Sequence, residues 1–144
     1  KITFLQNRGE LYVTKFYYKL QKVPKKIRLS GKSKWYDSLI KINDCKQSIF
    51  ENKNIRFISK DKIDQGIFIR RWRHGDIVYN NSLNGKLVSD LFIENKISIM
   101  SKLLYPIVVD KDDFILWVPG LTLSLDSYER LKKDQIKQVE WIQV

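Results

Sequence analysis

The densest group of side chains with binding chemistry lies in the run FIRRWRHGD, from Phe68 to Asp76. Its cationic and titratable members are Arg70, Arg71, Arg73 and His74. Guanidinium groups held on a rigid element can make bidentate contacts to phosphate with little entropy to lose. A lysine, Lys86, follows at the start of a short amphipathic run. This layout is typical of phosphate contact rather than of catalysis, so RNA binding is the first interpretation.

A β-strand is predicted to carry these arginines, because the residues from Phe68 to Trp72 alternate in character. Phe68, Arg70 and Trp72 share one face of such a strand, and Ile67, Ile69, Arg71 and Arg73 share the other. At most one face can meet RNA. An arginine on the opposite face is therefore expected to pack over Trp72 or to pair with Asp76 or Asp90.

A helix is predicted from about Lys86 to Asn95. The residues that recur at helical spacing are Leu87, Val88, Leu91 and Phe92. Lys86 would then add its charge to the positive end of the helix dipole, which disfavours stability but favours an anion. Lys86 is accordingly the strongest single candidate for a phosphate contact, and Trp72 and Tyr79 are candidates for stacking on bases, with core packing the alternative for Trp72.

Other possible chemistry in the sequence is excluded or has a simpler reading. His74 is the only histidine, which removes a site with several histidine ligands and favours a turn residue or a phosphate contact. The run Ser30 to Ser33 ends like a nucleotide-binding loop, but Lys26 stands where that loop needs glycine. The acids between Asp110 and Asp113 lack the ordered ligands of a calcium loop. No catalytic or metal site is predicted.

Net charge points to a polyanionic partner. The chain of 144 residues carries +11, and residues 1–65 hold 16 Lys and Arg against 6 Asp and Glu. Residues 66–144 hold 11 against 10. A basic surface attracts nucleic acid at long range and in a salt-dependent way. The alternative is that the lysines only solvate the surface.

The sequence indicates a cytoplasmic protein. Cys45 is the only cysteine, which rules out an internal disulfide, fits a reducing compartment and favours a small buried side chain. No apolar run approaches the roughly 18 residues that span a bilayer, so no membrane partner is expected. The chain opens at Lys1 without an initiator methionine, which suggests a piece of something longer.

The expected architecture is α+β, with a small mixed or antiparallel sheet and short helices. Residues 1–65 are predicted to form a basic β-hairpin and linker segment, and residues 66–144 an α+β domain. The predicted elements are a hairpin over Ile2 to Phe16, a loop or linker over Lys22 to Lys34, strands at Ile55 to Ser59, Ile107 to Val109, Phe114 to Val118 and Val139 to Val144, and a helix over Asp126 to Asp134.

The second half resembles the C-terminal domain of the tRNA(Ile)-lysidine synthetases from about Ile67 to Ser124. The residues that match an Arg-rich Gly-Asp motif are Arg71, Arg73, Gly75 and Asp76. Those that match a Lys-rich helix start are Lys86, Val88, Ser89, Asp90 and Phe92, followed by Lys96 and Ile97. Leu116 to Gly120 matches the closing strand. The family pattern adds Lys96 and Lys102 to the candidate tRNA contacts.

The resemblance implies a fold shared with phenylalanyl-tRNA synthetase β chains and built around a sandwich-like sheet. It also implies a parent enzyme that uses ATP to adenylate the wobble cytidine of tRNA(Ile) and then joins lysine to it. In that family ATP and Mg²⁺ belong to an N-terminal domain with a Ser-Gly-Gly-x-Asp-Ser loop, so no cofactor is expected on this chain. The expected partner is the tRNA(Ile) acceptor region, with the N-terminal catalytic domain and a homodimer as further candidates. The alternative is a protein-docking or dimerisation module with incidental RNA contact.

Overall fold

The computed structural model describes residues 26–45, 52–79, 84–122 and 133–143. The strands are β1 (Lys26–Arg28), β2 (Lys32–Trp35), β3 (Ser38–Asp44), β4 (Ile55–Ser59), β5 (Ile67–Arg71), β6 (Ile77–Tyr79), β7 (Gly85–Leu87), β8 (Pro106–Asp110), β9 (Ile115–Trp117) and β10 (Ile136–Gln143). The helices are α1 (Lys60–Gln65), α2 (Val88–Glu94) and α3 (Ile99–Leu103), and a 3-10 turn spans Lys133–Gln135. No helix in these ranges is long and apolar enough to cross a bilayer.

Two four-stranded antiparallel sheets form the body of the fold. The first has the order β1-β5-β8-β9, the second has the order β2-β3-β10-β4, and β6 and β7 form a separate two-stranded ribbon. Both sheets contribute to one hydrophobic core, where Trp35 and Ile40 of the second sheet join Ile69 and Val108 of the first. The α+β architecture with a sandwich-like core is therefore confirmed.

Strands from both halves of the sequence share each sheet. β1 pairs with β5 through Lys26↔Arg70 and Arg28↔Phe68, and β10 lies between β3 and β4 in the second sheet. The packing of residues 26–59 against the second half, which the sequence left open, follows directly from this pairing. The division at residue 65 falls between α1 and β5 rather than between separate sheets.

The expectation of a loop or linker over Lys22 to Lys34 is wrong within the described residues. β1 and β2 occupy this lysine-rich run, and only Ser33 and Trp35 of β2 turn toward the interior while Lys32 and Lys34 stay exposed. Backbone pairing to β5 and β3 satisfies the strands' hydrogen bonds without a continuous apolar face. The predicted hairpin over Ile2 to Phe16 and most of the predicted helix over Asp126 to Asp134 lie outside the described residues.

The other strand predictions are confirmed, with shifts of a few residues. β4, β8, β9 and β10 occupy the expected places, and β5 covers most of the arginine-bearing run. Cys45 is 7% exposed, as expected for a small buried side chain. The predicted helix start at Lys86 is wrong, because Gly85–Leu87 is strand β7 and α2 begins at Val88. The ribbon pairing of Lys86 with Val78 explains the difference.

Candidate RNA-contact surface at the end of β5

A buried arginine organises the end of β5. The Arg70 side chain is 2% exposed, and its Nη1 and Nη2 donate to the two carboxylate oxygens of Asp76 at 2.9 and 3.0 Å. Its Nε donates to Asp113 at 2.9 Å, and Nη1 also donates to the carbonyl of Arg71 at 3.0 Å. Burial lowers the pKa of Arg70, but these carboxylate bonds outweigh that effect and raise it overall.

The same two carboxylates fix the loop that follows β5. Asp76 Oδ2 accepts a hydrogen bond from the backbone N–H of Arg73 at 2.8 Å, and Gly75 occupies the turn with a φ of +91°. Asp113 Oδ2 accepts from Arg73 Nη1 at 2.9 Å. Burial opposes ionisation of Asp113, but the hydrogen bond from Arg70 and the nearby cations lower its pKa below the ordinary value. The loop geometry therefore depends on Asp76 and Asp113.

Arg70 is thus a support for the loop rather than a surface group, and this geometry does not favour the predicted RNA contact by Arg70. Arg73 is different, since its side chain remains 59% exposed although it pairs with Asp113. Lys86 is 45% exposed and pairs with Glu94 of α2. Both side chains are accessible, but each already has an acidic neighbour. The argument that Lys86 serves an anion through a helix dipole is wrong, because Lys86 lies in β7.

Four residues around the end of β5 define what we call the Trp72 surface. They are Arg71, Trp72, His74 and Lys102. The Lys102 ammonium lies 5.2 Å from the centroid of the Trp72 ring, and the His74 ring meets the same indole edge-on with centroids 6.5 Å apart. Beneath it, Phe92 packs at 5.7 Å. Trp72 is therefore half-buried, and its ring makes a cation–π contact with the Lys102 ammonium.

The cations of the Trp72 surface differ from Arg70, Arg73 and Lys86, each of which forms an ion pair with a carboxylate. Within the described residues, neither Arg71 nor Lys102 forms an ion pair with a carboxylate. Lys96 shares this property and is exposed just after α2, in a left-handed conformation with a φ of +54°. Of the seven predicted contact residues, Arg71, His74, Lys96 and Lys102 carry accessible groups without an acidic partner in that part of the chain. Sequence reasoning identified them but missed Asp113, which lies far along the chain.

A second exposed feature is the ribbon of β6 and β7. Its exposed apolar side chains are Ile77, Tyr79 and Leu87, and the nearby Phe114 is 46% exposed. The Tyr79 and Phe114 rings stack with centroids 6.0 Å apart and planes at 10°. Ile77 and Leu87 are directly paired across the ribbon. This face can serve aromatic stacking or contact with another protein surface.

Comparison with known proteins confirms the resemblance drawn from the sequence. No family model matches the chain. It is 35% identical over 89 residues to the tRNA(Ile)-lysidine synthase of Bacillus subtilis, an overlap that covers 60% of this chain and 19% of that protein. It is 34% identical over 74 residues to the Thermotoga maritima tRNA(Ile)-lysidine synthase, with 51% of this chain and 17% of that protein covered. The chain spans less than a fifth of the length of these relatives.

The comparison with solved structures agrees with the comparison of sequences. The structure is similar to the crystal structure of the TILS C-terminal domain, where TILS denotes tRNA(Ile)-lysidine synthase. The TM-score is 0.65 at 24% sequence identity, with 75% of this chain and 85% of that chain covered. The two proteins therefore share the same α+β fold.

Proposed function

We propose that this chain is the tRNA-binding part of a tRNA(Ile)-lysidine synthase and that the Trp72 surface contacts the tRNA backbone. The observation that carries the proposal is a pair of cations without acidic partners among the described residues: Arg71 at the end of β5, and Lys102, whose ammonium lies over the half-buried Trp72 ring. RNA helices are recognised mainly through phosphates and 2′-hydroxyls. A guanidinium at the end of β5 and an ammonium on α3 suit that kind of recognition.

The similarity to lysidine synthases supports the choice of tRNA(Ile) as the partner, through its acceptor region. We further propose, as the family resemblance implies, that ATP, Mg²⁺ and the joining of lysine belong to another part of the parent enzyme. The Ser-Gly-Gly-x-Asp-Ser loop of that family is not found in these 144 residues. The chain's role is then affinity and orientation. This is consistent with a cytoplasmic enzyme of tRNA modification.

The proposed contacts are expected to differ in how much each contributes to the affinity for RNA. Arg71 and Lys102 contribute most, because no carboxylate in the described part of the chain pairs with them. Lys96 and His74 extend the surface. Arg73 and Lys86 contribute less, since each must exchange an existing ion pair for the phosphate.

The test is the salt dependence of tRNA binding by the 144-residue chain. Filter binding of an unmodified tRNA(Ile) transcript is measured between 50 and 200 mM salt, a range over which phosphate contacts change affinity by orders of magnitude. R71A and K102A are each expected to weaken binding and to lower the slope of log K against log salt by about one. Both substitutions remove a single positive charge.

The matched control is K32A. Lys32 is exposed on β2, at the edge of the second sheet, and forms no ion pair in the described residues. Its loss removes the same charge from a different sheet, so the slope is expected to change by clearly less. Equal effects of K32A and R71A on the salt slope would indicate that the RNA binds another face of the protein. Unchanged slopes for R71A, R73A, K86A and K102A together would reject RNA binding by this surface.

The exposed ribbon supports a second candidate function, which is docking to another protein surface such as the catalytic domain or a second copy. Ile77, Leu87 and Tyr79 together form an apolar face on an otherwise charged molecule. Sedimentation of the chain with and without L87K tests it. Self-association that L87K abolishes, with no salt-dependent tRNA binding, favours docking over RNA recognition.

A further inference from the structure

Two exposed aromatic side chains stack on each other where the β6–β7 ribbon meets the loop between β8 and β9. The rings of Tyr79 and Phe114 have centroids 6.0 Å apart and planes at 10°. Tyr79 is 44% exposed and Phe114 is 46% exposed, so their mutual contact leaves a large part of both residues open to solvent. We call Tyr79 and Phe114 the aromatic pair.

The surrounding backbone holds the aromatic pair in position. Tyr79 is paired with Gly85 across the ribbon, and a Cβ added to Gly85 would lie 3.0 Å from Cε1 of Tyr79 and 2.8 Å from Cγ2 of Ile77. One edge of the Tyr79 ring therefore occupies the space that a side chain at position 85 would need. The backbone N–H of Phe114 donates to Oδ1 of Asp110 at 3.0 Å. Both rings are thus placed before a ligand arrives, which lowers the entropic cost of binding.

Cations border the aromatic pair. The Lys62 ammonium lies 5.9 Å from the centroid of the Phe114 ring. Arg73 is 59% exposed and pairs with Asp113, the residue before Phe114. Exposed aromatic rings beside cations are the pattern of proteins that bind single-stranded nucleic acid. The centre of a protein interface is, by contrast, depleted of charged residues, so the border of the pair favours a nucleic acid.

Ring contact rather than charge is the main attraction that this site offers. Lys62 already pairs with Asp110, and Arg73 already pairs with Asp113. Every nucleobase has a flat face that can stack on an aromatic ring, whatever the sequence. Stacking neutralises no phosphate and releases no counterion, so its contribution is expected to be independent of salt, unlike that of the phosphate contacts.

The aromatic pair lies within reach of a strand that leaves the Trp72 surface. Tyr79 follows His74 by five residues, so their Cα atoms lie at most about 18 Å apart. The loop between them is fixed by Asp76, whose backbone carbonyl also accepts a hydrogen bond from the N–H of Val88 at 2.9 Å. A stacked nucleic-acid strand advances about 3.4 Å per nucleotide. A few nucleotides therefore cover the distance.

We infer that the aromatic pair binds one unpaired nucleobase of the bound RNA by stacking. The inference rests on the proposed function and adds a site for a single-stranded nucleotide beside the surface that contacts the RNA helix. The base lies flat against an exposed ring of the pair. Its neighbouring phosphates remain in solvent, close to Lys62 and Arg73.

The test compares RNA minihelices that share one stem. One is blunt, one carries a single strand of six adenosines, and one carries the same extension without bases, which keeps the phosphate charges. Extensions at the 3′ and the 5′ end are measured separately, because either strand end can face the ribbon. Fluorescence anisotropy measures the affinity of the 144-residue chain at 50 and 200 mM salt.

The adenosine extension is expected to bind roughly tenfold more tightly than the abasic one at one of the two ends. A tenfold change corresponds to about 1.4 kcal/mol, which lies within the range for stacking of one base on an aromatic side chain. The advantage is expected to be the same at both salt concentrations. An advantage that disappears at 200 mM salt would overturn stacking as its cause.

Y79A and F114A are the diagnostic variants. Both are expected to lose the advantage of the adenosine extension, measured relative to each variant's own affinity for the blunt helix. Y79F is expected to keep it, because the ring remains and the Tyr79 hydroxyl forms no hydrogen bond in the described part of the chain. L87A is the matched control, because it removes an exposed apolar side chain from the same ribbon without removing a ring. It is expected to keep the advantage.

The outcomes separate this inference from the proposed function. Equal affinity for the adenosine and abasic extensions, or an advantage that Y79A and F114A keep, overturns the aromatic pair as a base site while RNA binding stands. An advantage that L87A removes as fully as Y79A, with self-association of the wild-type chain, overturns it in favour of protein docking. Failure of every minihelix and of tRNA to bind overturns the proposed function, and this inference with it. Loss in Y79A and F114A with retention in Y79F and L87A supports it.

Discussion

Arg70 and Asp76 form a two-point ion pair, with Nη1 and Nη2 of the arginine 2.9 and 3.0 Å from the two carboxylate oxygens. They are six residues apart, yet the pair closes the turn at Gly75 and leaves Arg70 2% exposed. Asp113, in the loop between β8 and β9, accepts a further hydrogen bond from Nε of the same guanidinium. A buried pair of this kind is sensitive to the loss of either partner.

Asp76→Asn tests the importance of this pair for stability. The substitution preserves the shape of the side chain but leaves a buried guanidinium without the charge that compensates it. Removing one partner of a buried ion pair costs about 3–5 kcal/mol. We expect a loss in the unfolding free energy near the lower end of that range, because Asp113 still contacts Arg70. Urea denaturation at pH 7 measures it.

Asp90→Asn is the control for that loss. Asp90 lies in the first turn of α2 and is the other acid that the sequence offers as a partner for a β5 arginine. Its interaction with the helix dipole is worth less than about 1 kcal/mol. A loss for D90N as large as that for D76N would contradict the special role of the Arg70–Asp76 pair.

Asp113→Asn is predicted to strengthen RNA binding even though it weakens the fold. Asp113 engages the exposed Arg73 at 2.9 Å, and removing its charge releases that guanidinium for phosphate. We expect a severalfold gain in affinity and a salt slope that is steeper by about one. Filter binding at two salt concentrations measures both. Asp112→Asn removes the same charge from the same loop without releasing an arginine, so a gain for D112N of the same size would refute the explanation.

Acid stability is predicted to depend on Asp110. Burial opposes its ionisation, but hydrogen bonds from Lys62 and from the backbone N–H groups of Phe114 and Asp112 lower its pKa below the ordinary 3.8. A lowered folded-state pKa contributes stability above the unfolded-state value, and that contribution disappears as the pH falls through the folded-state value. The wild-type chain should therefore lose stability below about pH 4.

Unfolding free energies of the wild type and D110N from pH 7 to pH 2.5 measure this contribution. D110N is expected to be less stable at pH 7 and to show a shallower decline in acid. Parallel curves for the two proteins would show that Asp110 titrates normally in the folded state.

Alanine substitutions at two glycines distinguish the cost of backbone strain from the cost of steric crowding. Gly75 has a φ of +91° with no atom within 4 Å of an added Cβ, so G75A should cost about 1–2 kcal/mol through its backbone alone. At Gly120, with a φ of +78°, an added Cβ would lie 2.7 Å from the Trp141 ring. We expect G120A to cost about 1–3 kcal/mol more than G75A, because the core must also shift. Thermal unfolding of both variants measures the difference, and equal losses would contradict the crowding.

Local pattern was enough to predict much of the first sheet. The alternation around Arg70 predicts β5, because burial of one strand face imposes a period of two. The β-branched run before Asp110 predicts β8, whose five residues are all buried. Local pattern also gave Asp76 as one of three alternatives for a β5 arginine, beside packing over Trp72 and pairing with Asp90, and the structure shows the Asp76 pair. The pairing with Asp113 depends on the neighbouring strands β5, β8 and β9, and no short-range signal in the sequence carries that contact.

The errors have a common physical cause. The helical spacing of Val88, Leu91 and Phe92 predicts a helix that starts at Lys86, and α2 does contain those three residues. What the period did not reveal is that Gly85 to Leu87 pairs with β6, since a three-residue strand is too short to show its own alternation. The lysine-rich β1 and β2 were missed for the same reason.

The placement of those lysine-rich strands has a consequence for association between copies of the chain. Among the described residues, β1 is the outermost strand of the first sheet and β2 the outermost strand of the second, so each has one edge that pairs with no other strand in that part of the chain. Exposed strand edges invite intermolecular β-pairing and aggregation, and short strands that bear cationic side chains discourage it. Lys26, Arg28, Lys32 and Lys34 therefore give part of the positive charge a protective purpose that is independent of any nucleic acid.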